Sequence, residues 1–222
     1  MKTAHSIGAL FLSVAVLAGC MSAKPDAANY SGWMKNYDDL TEFKTATGGT
    51  SMRWISPSLK KGQYTALMID PVTYYPAAQP SSQVSQKTLQ EIPTYLVQQV
   101  SRSLGSDIQI VQKPGPGVLR LRAAITGVDT PTEGLQFYEV IPVALIFAGA
   151  QAATGHRDHN TLVYLEAQLI DSQSGNLLAK VVRKGIGENL KNESAQLTLA
   201  DTKPVLNDWA KDAAVFTKNF VQ

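Results

Sequence analysis

Most of the residue patterns by which an activity is recognised are absent from this sequence. Its 222 residues include one cysteine, so no disulfide can form within the chain. It contains no G-x-S-x-G elbow, no P-loop and no dinucleotide fingerprint, which removes the usual sequence grounds for the enzyme classes that carry these motifs. We therefore expect no catalytic residue and no cofactor, and we predict a non-enzymatic protein.

Histidine is also scarce, and only His156 and His159 lie close together in the sequence. Zinc sites normally use three or four protein ligands in fixed geometry, and no third histidine or thiol is close to this pair. The sequence therefore predicts no metal site. A metal-dependent hydrolase built on these two histidines is the weakest alternative that we keep.

Neither sign of charge dominates the chain. It carries 20 basic and 18 acidic residues, with a formal net charge of +2 and no block of like charges. Nucleic-acid binding depends on a concentration of basic side chains, so we predict no nucleic-acid partner. The apolar stretches are also shorter than the roughly 20 residues that a membrane-spanning helix needs.

The start of the chain has the layout of an export signal. Lys2 supplies a positive charge, Ile7 to Leu17 forms a short apolar segment, and the small residues Ala18 and Gly19 precede Cys20. The stretch Leu17-Ala18-Gly19-Cys20 resembles the lipobox of bacterial lipoprotein precursors. An ordinary secretory signal that happens to contain a cysteine is the alternative.

The lipobox resemblance implies a specific modification and location. Residues 1–19 would be removed as a signal peptide, and Cys20 would carry a diacylglycerol thioether and an acylated amino group that bind the lipid bilayer. Met21 replaces the aspartate that retains lipoproteins in the inner membrane. We therefore expect attachment to the periplasmic face of the outer membrane, with the inner membrane as the alternative.

The mature chain is predicted to form a tether over residues 20–29 and a single periplasmic α+β domain over residues 30–222. Nine extended residues after Cys20 reach at most about 30 Å, which keeps the domain near the bilayer. Tyr30 to Leu40 mixes aromatic and turn-forming residues, and we expect it to pack over the domain as an irregular arm.

Hydrophobic periodicity predicts the main elements of the domain. A helical stripe leads from Ser85 or Thr88 to a stop at Gly105, and a second helix is capped at Asp201 or Thr202 with Pro204 in its first turn. Alternating or short apolar segments predict strands over 64–70, 108–111, 118–128, 162–170 and 177–184. This order predicts an α+β fold, with two principal helices packed on one face of a mainly antiparallel sheet.

One predicted strand carries a charged residue whose partner can be anticipated. Glu166, within 162–170, is expected to pair across strands with Arg120 or Arg122.

The segment from Val140 to Thr154 is uncharged and rich in small apolar residues. As a helix it would span roughly 22 Å, which is less than the hydrocarbon core of a bilayer. We interpret it first as a buried core helix or a buried strand-to-helix segment. The alternative is an apolar surface for a partner or a lipid, with the candidate residues Val143, Leu145, Ile146 and Phe147.

Several short motifs together resemble a known family. They are Tyr30-Ser-Gly-Trp33 with Tyr37 and Leu40, then Ile69-Asp-Pro-Val72, Pro114-Gly-Pro-Gly117, and Glu166 followed by Asp171-Ser-Gln-Ser-Gly175. Their order and spacing resemble the bacterial lipoproteins catalogued as domain of unknown function 3313. This resemblance covers nearly the whole mature chain and implies no activity, substrate or catalytic residue.

These observations predict a binding or assembly module of the cell envelope that contacts another envelope protein or a second copy of itself. The alternative is a carrier of an apolar ligand such as a lipid, in which Leu145 or Phe147 borders the pocket. A periplasmic hydrolase is the third and weakest hypothesis.

Overall fold

The computed structural model describes residues 24–81, 84–127, 146–148, 160–190 and 195–221. A short 3-10 helix, Ala27–Asn29, precedes the sheet. The strands and helices in chain order are β1 (Thr41–Lys44), β2 (Thr50–Ile55), β3 (Ala66–Ile69), β4 (Thr73–Tyr74), α1 (Gln86–Leu104), β5 (Gln109–Val111), β6 (Val118–Ile125), β7 (Ile146–Ala148), β8 (Asn160–Asp171), β9 (Leu177–Asn189) and α2 (Leu199–Lys218).

The nine strands form one sheet in the order β1-β2-β9-β8-β6-β3-β5, with β4 paired to β6 and β7 paired to β8. Five of the strand pairs are antiparallel, and the pairs β3–β5, β3–β6 and β4–β6 are parallel. Parallel strands need a crossover connection. The helix α1, which follows β4 in the chain, supplies the crossover that brings β5 beside β3. The predicted α+β class and mainly antiparallel sheet are confirmed.

Both helices cover the same face of the sheet. Alternate residues of β8, from Val163 to Leu169, point into this core, as the period of a strand requires. The helix α1 contributes the buried stripe that the sequence predicted, Leu89, Ile92, Leu96, Val100 and Leu104. The prediction of two helices on one face is therefore confirmed.

The sequence predicted that α1 begins at either Ser85 or Thr88, and in the structure Ser85 is the N-cap. The Ser85 side chain accepts a hydrogen bond from the backbone N–H of Thr88 at 3.1 Å. Gly105 ends the helix with φ of 65°, a conformation that favours glycine, as predicted.

The predicted start of α2, at Asp201 or Thr202, was wrong by three or four residues. Thr198 is the N-cap, and its backbone N–H donates to the Asp201 carboxylate at 2.8 Å. Asp201 is therefore the acidic residue of a capping box and not the cap itself. Pro204 consequently lies beyond the first turn of the helix.

The arm predicted over Tyr30 to Leu40 packs on the other face of the sheet. Tyr30 stacks on Tyr37 with ring centroids 4.7 Å apart. Met34 and Leu40 are buried against Val182 of β9, which forms a second and smaller apolar cluster. The prediction of an irregular arm packed over the domain is confirmed.

Glu166 holds this arm on the sheet through hydrogen bonds. Its predicted pairing with Arg120 or Arg122 was therefore wrong. Its fully buried carboxylate accepts hydrogen bonds from the backbone N–H groups of Ser31 and Met34 at 2.9 and 3.3 Å. The Tyr37 hydroxyl donates to it at 2.7 Å. Burial, together with this hydrogen bond, raises the pKa of Tyr37 to about 12. Arg120 pairs instead with Asp70 at 2.8 Å.

Candidate functional site

A cavity of about 320 Å³ lies between the sheet and the two helices. Its volume falls at the lower end of the range typical of small-molecule sites. Phe43 and Val215 line it and are 37% and 48% exposed, so this side of the cavity meets solvent. The cavity therefore has a deep end under the helices and a rim between β1 and α2.

Small side chains on the sheet explain why this space is not filled. Strand pairing places Ala123, Ala167, Val181 and Arg53 in one row across β6, β8, β9 and β2. The first three are short, and all four line the cavity. The helices close it from above with Leu96, Val97 and Val100 of α1 and Ala213 and Phe216 of α2.

Arg53 brings a charge to the open side of this apolar space. Its guanidinium carbon lies 3.3 Å from the ring centroid of Phe43 and 5.3 Å from that of Phe216. Within the described part of the chain, no carboxylate forms an ion pair with Arg53. Burial lowers the pKa of the guanidinium, but an arginine side chain stays charged in proteins.

The guanidinium of Arg183 lies deeper in the cavity than that of Arg53, and its charge is neutralised by Asp212. Its Nη2 lies 2.5 Å from the Asp212 carboxylate, and both side chains are buried. The backbone N–H and hydroxyl of Thr47 also donate to that carboxylate, at 2.8 and 2.9 Å. Burial lowers the pKa of Arg183, and the adjacent Asp212 opposes that shift. This pair joins β9 to α2 and to the turn after β1.

The candidate residues that the sequence proposed are placed only in part. Cys20, Val143, Leu145, His156 and His159 lie outside the described residues. The backbones of Ile146 and Phe147 belong to β7, which pairs with β8, so a continuous helix over Val140 to Thr154 was wrong at these positions and the strand-to-helix alternative is the one that fits them. Whether Phe147 borders a pocket stays a prediction.

The residues that define the cavity were not singled out by sequence reasoning. Arg53 lies on the short strand β2, and Phe216 lies near the end of α2. No motif marks either residue, because their association depends on the packing of α2 over the edge of the sheet. An arginine alternating with apolar residues on a strand was the one available signal.

Within residues 24–81, 84–127, 146–148, 160–190 and 195–221, no group of three histidine, cysteine, aspartate or glutamate side chains could hold a metal ion. Within the same ranges, neither helix combines the length and the apolar character of a membrane span.

The sequence pattern of a family described as "Protein of unknown function (DUF3313)" matches residues 29–213. This chain belongs to the DUF3313 family. The resemblance inferred from the short motifs is thereby confirmed. A relative, the "Uncharacterized lipoprotein YdcL" of Escherichia coli (strain K12), is 44% identical over 203 residues, which make up 91% of each chain. These findings support a DUF3313 lipoprotein of unknown activity, and neither of them names a reaction.

Solved structures that resemble this DUF3313 chain are much more distant. Protein XCC0632 from Xanthomonas campestris is 12% identical with a TM-score of 0.43, over 73% of this chain and 88% of that one. The PelC dodecamer from Paraburkholderia phytofirmans is 11% identical with a TM-score of 0.36, over 78% of this chain and 97% of that one.

Proposed function

We propose that this protein is a lipid-anchored lipoprotein whose α+β domain binds the acyl chain of a single-chain lipid. The observation that carries the proposal is the open apolar cavity between the sheet and the helices. Enclosing apolar surface contributes roughly 25 cal/mol per Å², so an acyl chain gains free energy by leaving water for this space. Among the hypotheses drawn from the sequence, this geometry favours the carrier of an apolar ligand.

The proposed anchor is an acylated Cys20 at the periplasmic face of the outer membrane. Glu166 holds the backbone of Ser31, so at most eleven residue steps separate the anchor from a point fixed to the sheet. Those steps reach about 40 Å when fully extended. The cavity would then operate close to a bilayer, which is a source of single-chain lipids.

The anchor predicts a defined N-terminal peptide. In cells grown with a radiolabelled fatty acid, the mature protein should carry the label, and mass spectrometry should find a chain that begins at residue 20 with a diacylglycerol thioether. A Cys20→Ala variant should lose the label completely. A free thiol at residue 20 in the native protein would contradict the proposal, and density separation of the two membranes tests the predicted outer-membrane location.

The cavity predicts binding of a neutral single-chain probe. A dodecanol analogue with a photoreactive diazirine on its chain should label peptides that contain the lining residues of β6, β8 or α2. Ala213→Trp places a large side chain in the space that the chain of the probe would occupy, and it should reduce the probe's affinity about tenfold or more, which corresponds to a loss of about 1.4 kcal/mol or more.

Ala200→Trp is the matched control, because Ala200 is exposed in the first turn of the same helix. Labelling should be unchanged in that variant. Equal labelling of the two tryptophan variants, or labelling spread evenly over the surface, would remove the cavity as the binding site.

The first hypothesis from the sequence, a module that binds an envelope protein or a second copy, has less support in the described residues. Phe43, Tyr75 and Val215 are the large apolar side chains exposed there, and they offer little area for a partner. Phe43 and Val215 also line the cavity, so a ligand accounts for two of the three.

A further inference from the structure

The charged groups around the cavity divide into those with an ionic partner and those without one. Asp70 pairs with Arg120, Lys180 pairs with Asp39, and Arg183 pairs with Asp212. These pairs leave no uncompensated negative charge on the described lining.

Two cations of the lining form no ion pair within the described ranges. Lys44 donates to the hydroxyl of Thr50 at 2.6 Å, and it lies on an exposed strand. Arg53 has only aromatic neighbours among the contacts of its guanidinium. The uncompensated charge of the described lining is therefore positive, with Lys44 on the exposed strand β1 and Arg53 beside Phe43 and Phe216.

The position of Arg53 suits the head group of an amphiphile. Its row on the sheet continues through Val181 and Ala167 to Ala123, so the charge stands at one end of an apolar floor. Phe43 and Phe216 flank the guanidinium and leave its N–H groups without a protein acceptor among the described residues. A planar guanidinium binds a carboxylate through two parallel hydrogen bonds.

We propose that the ligand is a fatty-acid-type amphiphile, whose carboxylate binds Arg53 at the rim while its chain occupies the cavity. This inference rests on the proposed function and adds the head group to it. Arg53 is the one guanidinium on the described lining without an ion pair, and one guanidinium binds one carboxylate. The deeper Arg183 does not compete for the head group, because Asp212 already neutralises it.

The test uses the mature lipoprotein in phospholipid nanodiscs and the neutral photoreactive probe described above. Laurate and dodecanol compete with the probe on the native protein and on Arg53→Gln. Because partition into the nanodisc is the same for both proteins, the comparison between proteins isolates the head group. Laurate should displace the probe from the native protein at about tenfold lower concentration than from the variant, as expected for a hydrogen bond to a charged group.

Dodecanol should compete equally on both proteins, within about twofold. Arg53→Lys should show part of the laurate preference that Arg53→Gln loses. Lysine keeps the positive charge but cannot donate two parallel hydrogen bonds as a planar guanidinium does. Arg102→Gln is the matched control, because Arg102 is exposed in the last turn of α1, and it should behave as the native protein does.

The outcomes separate this inference from the proposed function. Equal laurate competition on the native protein and Arg53→Gln overturns the head-group assignment and leaves the apolar site intact. A parallel loss for laurate and dodecanol also overturns it, because Arg53 would then act on the chain or on the fold. Absence of probe labelling in the native cavity overturns both proposals.

Discussion

Replacing Gly187 with alanine is expected to destabilise the fold by about 3 kcal/mol. A Cβ atom at this position would lie 2.3 Å from the carbonyl oxygen of Asp201 and 3.3 Å from the Cβ atom of Thr161. The first of these contacts is with helix backbone in the first turn of α2, which cannot move aside by changing a rotamer. The strand β9 and the helix α2 would have to separate. Urea unfolding of residues 21–222, followed by circular dichroism, measures the loss.

Replacing any glycine with alanine also reduces the conformational entropy of the unfolded chain, and Gly115→Ala is the control for this effect. The nearest atom to a Cβ at Gly115 is a Val118 methyl group at 3.7 Å, an ordinary van der Waals distance. This variant should stay within about 0.5 kcal/mol of the native protein. Equal stability of the two alanine variants would show that β9 and α2 do not approach each other this closely at Gly187.

Glycines in β9 explain why this strand was predicted to end too early. The strand was predicted over 177–184 and runs to Asn189. Gly185 and Gly187 occur in the missed part, and glycine is depleted in strands because it offers no side chain to pack. Here the absence of a side chain is the requirement, since α2 crosses directly above. Local periodicity carries no information about an element that is distant in sequence.

Where local pattern decides the structure, the sequence was sufficient. The alternation in β6 and β8 predicted both strands, and the stripe in α1 predicted its packing. The fold class followed from the order of these elements. The predicted partner of Glu166 was wrong. Its carboxylate accepts from the backbone N–H groups of Ser31 and Met34, and these groups approach it only when the arm folds across the sheet.

The candidate site could not be derived in the same way. The sequence directed attention to a continuous apolar run, with Val143, Leu145, Ile146 and Phe147 as the candidate residues. The cavity is built instead from residues scattered over many elements, each of an ordinary type for its position. Its volume arises where Ala123 and Ala167 become neighbours through strand pairing, which no single segment encodes.

Asp212→Ala is expected to destabilise the protein by about 4 kcal/mol. Asp212 and Arg183 are only 8% and 5% exposed, so removal of the carboxylate leaves a buried guanidinium without its counter-ion. The Nε atom of Arg183 already has no hydrogen-bond partner among the described residues. The two donors of Thr47 lose their acceptor in the same step. Urea unfolding of residues 21–222 measures this effect.

The combined variant Arg183→Met with Asp212→Leu separates the ion pair from the packing of its side chains. Apolar replacement of both partners of a buried pair is often neutral or stabilising, because neither charge then has to be desolvated. We expect the double variant to regain most of the stability that Asp212→Ala loses. A double variant as unstable as Asp212→Ala would show that the cost arises from the lost contacts with Thr47 and not from an unpaired charge. Since Arg53 is untouched in this variant, its carboxylate preference should also survive.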